Sequence, residues 1–405
     1  MNNIGFKLYL LFIMSWFLHL TARIPALGII RFDMLLVLLI VIFIFLDKKV
    51  ENKQANINKP GNIIKILFLY SIATLPFVEW PGSVLNTGIV NFIKAIVFYY
   101  FTVILITTEH RLKIFLGVFL ACQSYRILEP LYLNLTMGFW GSAAYMSNAQ
   151  FMYRLSGSPF DVVNPNGLAF IIVTVIPFFH YLSSTSIKNK LVYYALLPAF
   201  LYALVLTSSR SGFLALIVIL IGIARDTQRK VLVVGLIALS VSIAFLNLSS
   251  EQRDRYVSIF DTSAKHYDTA SGRTDEVIDA LRVALRRPIF GHGLGTSREA
   301  NANFGIKDIP AHNLYAEVAQ ELGFLGLIIY LFYIRSIIRN FHQSVKEGSM
   351  KENVFLHSFN KAGRTWLWMN ILFSFASYGL SSYEWYLFGG LSVVSLRLLK
   401  KGDGA

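Results

Sequence analysis

Apolar runs long enough to cross roughly 30 Å of hydrocarbon recur along the whole chain. They fall at approximately 5–20, 28–46, 63–80, 89–107, 112–130, 166–184, 190–207, 210–225, 230–247, 313–334, 365–379 and 384–398. This pattern predicts an all-α polytopic membrane protein with about twelve transmembrane helices. The first run follows Lys7 closely and ends in Thr21-Ala22-Arg23 without a small-x-small cleavage pattern. It reads as a retained first span rather than a removed signal peptide.

The connections between spans alternate in charge. Lys48, Lys49, Lys53, Lys59 and Lys65 follow the second span, and Arg111 with Lys113, Lys188 with Lys190, and Arg225, Arg229 and Lys230 follow on the same side. The connection 335–364 and the Lys400-Lys401 tail belong there too, whereas the opposite connection 80–87 has no Lys or Arg. Cytoplasmic connections collect Lys and Arg, so both termini are expected in the cytoplasm. Two outer connections are long. One spans 132–166 and closes with Asp161-Val162-Val163-Asn164-Pro165-Asn166; the other spans 248–312 and carries nine Lys/Arg against nine Asp/Glu. Long loops escape the positive-inside bias. Within the second, Thr274 is placed to cap a helix with Asp275 and Glu276 in its first turn. Val277, Ile278, Leu281, Ala284 and Leu285 form an apolar stripe, and Pro288 ends the run. The stripe suits a helix lying on the outer membrane surface. The expected organisation is therefore 1–247 with nine spans and the outer loop 132–166, 248–312 as the long outer loop, and 313–405 with three spans and a cytoplasmic tail. No internal repeat is present, which disfavours a transporter of two related halves.

One segment stands out. Stepped as a helix at about 100° per residue, 312–327 places His312, Ala316, Ala319, Gly323 and Gly326 on one face and Asn313, Glu317, Gln320 and Glu321 on another. Small strips let membrane helices approach closely, and polar groups in a membrane need partners. Glu317 and Glu321 are expected to pair with a cation, for which Lys94 and Arg126 are candidates, and to support the segment. On a regular helix Glu321 points nearly opposite His312, which argues against a direct carboxylate–histidine dyad.

Composition agrees with the span pattern: 55% of the 405 residues are hydrophobic and 15% charged, against about 25% charged in soluble chains. Mean hydropathy is +0.55. The net charge of +14 is explained by the basic connections, so no nucleic-acid partner is expected. Cys122 is the one cysteine and lies inside an apolar run, which excludes a disulfide framework and a cysteine metal site. No His/Asp/Glu set has metal-ligand spacing, and no metal or cofactor is expected.

Candidate chemistry gathers at three outward-facing helix starts. In Ser208-Ser209-Arg210-Ser211-Gly212 the serines can cap the following span, leaving Arg210 among free N–H groups that favour an anion. Taken alone, such a residue also reads as a snorkelling arginine. Arg273, in Ser271-Gly272-Arg273-Thr274, precedes the amphipathic helix in the same way, and His312 opens the tenth span. Guanidinium forks suit phosphate oxygens, and a histidine suits proton transfer. Gly291-His292-Gly293-Leu294-Gly295 resembles a phosphate cradle but follows no strand, so it reads as a turn. His19, His110, His180, His342 and His357 share no face and read as structural.

His312-Asn313, nine residues, Gly323, two residues and Gly326 resemble the H-N-x9-G-x-x-G signature of the O-antigen ligase and Wzy-type polymerase superfamily. Ser209-Arg210-Ser211-Gly212 is similar to that family's arginine-bearing span start. Ser271-Gly272-Arg273 with Arg287-Pro288-Ile289-Phe290-Gly291-His292-Gly293-Leu294-Gly295 is similar to its long periplasmic loop, and Asn164-Pro165-Asn166-Gly167-Leu168-Ala169 to a segment at a span start. The resemblance covers about 160–330. It implies a metal-independent, inverting glycosyltransferase with the C-type membrane fold, in the bacterial inner membrane, working at the periplasmic face. The implied donor is a glycan on undecaprenyl diphosphate, and the acceptor a lipid A-core hydroxyl or, in a polymerase, a second lipid-linked glycan. By the resemblance Arg210 and Arg273 hold the diphosphate and His312 activates the acceptor. Asn313, Asn164, Asn166, Arg286 and Arg287 are expected to bind substrate, and Arg282, Arg286 and Arg287 can share the role of Arg273. A lipid-oligosaccharide flippase would need charges along a cavity open to both sides, whereas the unusual charges here gather near one face. A structural scaffold leaves the three anion-ready helix starts unexplained.

Overall fold

The computed structural model describes residues 2–46, 59–141, 153–226, 250–257, 268–306, 308–350, 352–377 and 379–401, with single positions between 231 and 246. All regular elements among these are helical. In chain order they begin with α1 (Asn2–Leu18), α2 (Leu20–Arg23), α3 (Pro25–Ile29), α4 (Phe32–Leu46) and α5 (Lys59–Ala73). Next come α6 (Pro81–Leu105), then α7 (Glu109–Met137), α8 (Pro165–Leu182), α9 (Ile187–Leu206) and α10 (Arg210–Asp226). The last are α11 (Ser250–Val257), α12 (Asp268–Ala284), α13 (Ser297–Asn303), α14 (Leu314–Met350), α15 (Val354–Phe373) and α16 (Tyr383–Lys401). Each predicted span overlaps one of these helices except 230–247, which falls largely outside the described residues. Among the described residues five helices, α6, α7, α8, α9 and α14, are long and apolar enough to cross a membrane.

The chain forms two compact units. The first comprises Met1–Glu51, Ile104–Tyr267 and Lys361–Met369; the second comprises Asn52–Val103, Asp268–Asn360 and Asn370–Ala405. Neither unit is a single run of the sequence.

In the first unit aromatic rings line the helix contacts, as where Tyr9 stacks on Phe115 and Phe17 meets Phe119 edge-on. A β-carbon at Gly212 would stand 2.7 Å from that of Ala169, so a small residue lets α10 close on α8. Hydrogen bonds order the segment before α8: Leu155 N donates to Leu206 O and Gly157 N to Val163 O. Asp161 is the hub. Its carboxylate receives Arg126 through Nε (2.6 Å) and Nη2 (3.0 Å), and His19 Nε2 lies 3.1 Å away. Burial disfavours a charged carboxylate, but His19 and Arg126 outweigh it and hold the Asp161 pKa at about 2. From the long loop, α11 docks on this unit through Gln252 Nε2 to Tyr153 O and Tyr256 OH to Val205 O.

In the second unit α14 is the axis. Its 37 residues continue well past the span predicted to end near 334. Ile337, Phe341 and Ser344 remain buried there, so the basic connection 335–364 is mostly helix. On α16, a β-carbon at Gly389 would meet the Tyr333 hydroxyl, and that hydroxyl donates to Trp385 O at 2.9 Å. At the other end Ala280 of α12 clusters with Ala311 and Ala316. Of the small strip predicted on the 312–327 segment, Ala316 thus meets α12, whereas Gly323 lies against Ile289 and Gly326 against Tyr70. The apolar stripe of α12 divides: Ala284 is buried, whereas Ile278, Leu281 and Leu285 are exposed.

Candidate active site

Residue 323 decides the local architecture. Gly323 takes φ 68° and ψ 180°, so α14 is two helices meeting at a break rather than one regular helix. This corrects the uninterrupted helix expected over 312–327. A break strands the last carbonyls of the first segment, and the 288–293 loop satisfies them. His292 N donates to Gln320 O (2.8 Å) and Gly293 N to Glu321 O (2.9 Å), while Phe324 N donates back to Pro288 O (2.7 Å). The Tyr70 hydroxyl bridges Ile289 O and Leu322 O at 2.7 and 3.0 Å. The glycine run expected to be a turn is indeed irregular backbone, with Gly291, Gly293 and Gly295 all at positive φ. It wraps the helix break as a structural clasp.

The polar face of the first segment organises the loops around it. Asn313 Oδ1 accepts from Tyr315 N and Ala316 N, capping α14, and its Nδ2 donates to Phe375 O at 3.1 Å. Glu317 Oε2 accepts from Gly379 N (2.7 Å) and Leu380 N (3.1 Å). Gln320 Nε2 donates to Asn301 Oδ1 at 2.7 Å. Glu321 accepts from Gly295 N (2.7 Å) and Ser297 N (3.3 Å), at the start of α13. Both glutamates were expected to pair with a cation. They accept backbone amides instead, because the glycine-rich loops bring N–H groups to them. Lys94 is exposed, and Arg126 is engaged by Asp161. His312 lies half-buried in the turn before the cap, two residues ahead of α14. It therefore stands outside the helical register assumed for it.

The loop arginines are differently placed. α12 begins at Asp268, so Arg273 lies within its second turn rather than before its first; Gly272 is accommodated in the helix at a cost of about 1 kcal/mol. The Arg273 side chain lies outside the described ones. Arg282 pairs with Asp279. Arg286 places its guanidinium 5.3 Å from the Phe304 ring centre. Arg287 donates to Phe77 O at 2.8 Å and lies 3.4 Å from Glu79. Glu79 also meets Nδ1 of the fully buried His292 at 3.0 Å, and His292 Nε2 faces Val283 O at 3.1 Å. The sequence gives no periodic signal for this Glu79–His292 pair, because both residues sit in irregular loops.

In the first unit Ser209 caps α10, with Gly212 N donating to its Oγ. Ser208, at φ 49°, turns the chain into that cap. Arg210 is therefore the first residue of its helix, half-buried, as expected. Behind it Asn166 Oδ1 accepts from both Ser209 Oγ and Arg154 Nη2 at 2.9 Å, and Arg154 Nε donates to Thr207 O. Asn164 caps α8 by accepting from Gly167 N at 2.8 Å. The buried Arg154 escaped sequence reasoning, although it is an isolated arginine in the outer connection 132–166. The arrangement fixes the Arg210 helix start by side chains from two preceding segments. Such a start, a helix N-terminus that carries a guanidinium, suits an anionic ligand.

The chain matches no curated protein. Residues 195–331 match the family model described as O-antigen ligase, a stretch that contains Arg210, Arg273, His312 and the clasped break at Gly323. With several helices apolar enough to span a membrane, the chain is a multi-pass membrane protein, and the matched stretch supports a ligase- or polymerase-type function. Over 195–331 the chain is similar to the O-antigen ligase family.

Proposed function

We propose that the protein is an inner-membrane glycosyltransferase that moves a glycan from undecaprenyl diphosphate to a lipid A-core hydroxyl at the periplasmic face. The match over 195–331 carries this reading, since it takes in all three candidate groups. The acceptor oxygen attacks the anomeric carbon, the bond from that carbon to the diphosphate oxygen breaks, and undecaprenyl diphosphate departs. His312 takes the acceptor proton, and displacement inverts the anomeric centre. Arg210 and Arg273 stabilise the charge that grows on the leaving diphosphate, where oriented donors contribute most. The alternation of basic connections supports twelve spans with both termini in the cytoplasm, and the exposed Ile278, Leu281 and Leu285 support contact of α12 with the outer leaflet.

The test supplies purified, reconstituted protein with undecaprenyl diphosphate-linked repeat, with and without lipid A-core acceptor. The ligase reading predicts glycan on the core acceptor and no product without it. Chain elongation without core acceptor replaces it with the Wzy-type polymerase reading.

A further inference from the structure

Away from the candidate active site, α5 and α14 flank an open groove of about 320 Å³ in the second unit. Lys59, Arg335 and Arg339 line it together with Ile63, Ile66, Ile329 and Phe332. The two chemistries are separated along its length. Tyr70 of α5 meets Leu322 and Gly326 of α14, so the helices run antiparallel. Lys59, eleven residues before Tyr70, therefore lies level with the 335–339 turn of α14. The cations gather at one end, and the isoleucines and Phe332 continue toward the other.

Among the described residues nothing compensates these charges. No carboxylate lines the groove, and none pairs with Lys59, Arg335 or Arg339 among the described residues. Arg335 and Arg339 stand one turn apart, where like charges destabilise a helix, and Lys59 opens α5, where the helix end repels a cation. Ile66 and Phe332 are each more than half exposed. A free anion would answer the charge but leave the apolar walls uncovered. An amphiphile answers both.

We propose that this groove binds an anionic phospholipid, its phosphate held by Lys59, Arg335 and Arg339 and its first methylenes lying on Ile63, Ile66, Ile329 and Phe332. Basic pockets between membrane helices recognise such headgroups. The site lies on the side that carries the basic connections and is independent of the transfer chemistry proposed above.

The test uses the delipidated full-length protein in neutral detergent, with bound lipid counted by native mass spectrometry during titration with phosphatidylglycerol or phosphatidylcholine. The proposal predicts retention of phosphatidylglycerol over phosphatidylcholine. Each basic group near an anionic headgroup contributes about fivefold in affinity, so R335Q/R339Q weakens phosphatidylglycerol by about 25-fold. R335K/R339K retains binding, and K188Q/K190Q, which removes two exposed charges elsewhere, leaves it unchanged. Millimolar inorganic phosphate does not displace the lipid, and Phe332→Ala weakens it. Equal retention of the two lipids, unchanged binding in a folded R335Q/R339Q protein, or displacement by phosphate alone would overturn the proposal. Thermal unfolding of each variant shows whether it is folded.

Discussion

Gly323 lies against Ile289 so closely that a β-carbon on it would stand 2.3 Å from the Ile289 carbonyl oxygen. Its φ of 68° with ψ of 180° is also a region that essentially only glycine occupies. Gly323→Ala therefore strains the backbone and pushes the 288–293 loop from the helix break. The expected loss is about 1–3 kcal/mol for the backbone alone, measured by thermal unfolding in detergent. Gly117→Ala is the contrast, because nothing lies within 4 Å of its β-carbon position; it should stabilise α7 by about 0.5–1 kcal/mol.

Glu321 is held by Gly295 N and Ser297 N, so its removal strands two amides. Glu321→Ala should cost about 1–3 kcal/mol per unpaired group and open the 291–297 loop. Glu317→Ala should act in the same way on Gly379 and Leu380. Hydrogen exchange of the two loops reads each effect separately, with faster exchange at 293–297 in the first variant and at 379–380 in the second.

The helix positions, the caps at Asn164 and Ser209 and the start of α10 at Arg210 follow from apolar length and cap chemistry, which are local in sequence. The break at Gly323 was not legible, since glycine spaced three from glycine fits a packing strip as well as a kink. What decides between them is the approach of the 288–293 backbone from another part of the chain. The partners of Glu317 and Glu321 were hidden for the same reason: a carboxylate's need is readable, but a donating amide has no sequence signature. The start of α12 was misplaced because Thr274 with Asp275 and Glu276 reads as a cap and first turn, whereas the helix already begins at Asp268. Arg154 and the Glu79–His292 pair lie in loops, where periodicity carries no information.

Asp161 gives the first unit a defined acid sensitivity. Its folded-state pKa of about 2 lies below the usual carboxylate value of about 3.9. The ionised carboxylate therefore contributes its full stability above about pH 4, and this contribution is lost as pH falls toward 2. The size is about 2 kcal/mol for a shift of this extent. The thermal midpoint should drop between pH 4 and pH 2 in the wild type, with a smaller drop in Asp161→Asn, which starts from a lower value.

The proposed displacement relies on guanidinium groups and a histidine. Transfer should therefore proceed at an unchanged rate after treatment with EDTA and on adding back magnesium or manganese. Loss of activity with the chelator and recovery with one metal would require a different account of the leaving group.

Arg210→Ala and Arg273→Ala should each abolish transfer while the proteins remain folded in the membrane, because each removes charge stabilisation at the diphosphate.

The most direct measurement is the single-turnover rate of glycan transfer by reconstituted His312→Ala, with undecaprenyl diphosphate-linked glycan and lipid A-core acceptor both saturating. A proton acceptor contributes about a hundredfold to ten-thousandfold, so the rate should fall by at least about a hundredfold while donor binding and thermal stability stay at wild-type values. Transfer by His312→Ala at the wild-type rate would contradict the role given to His312.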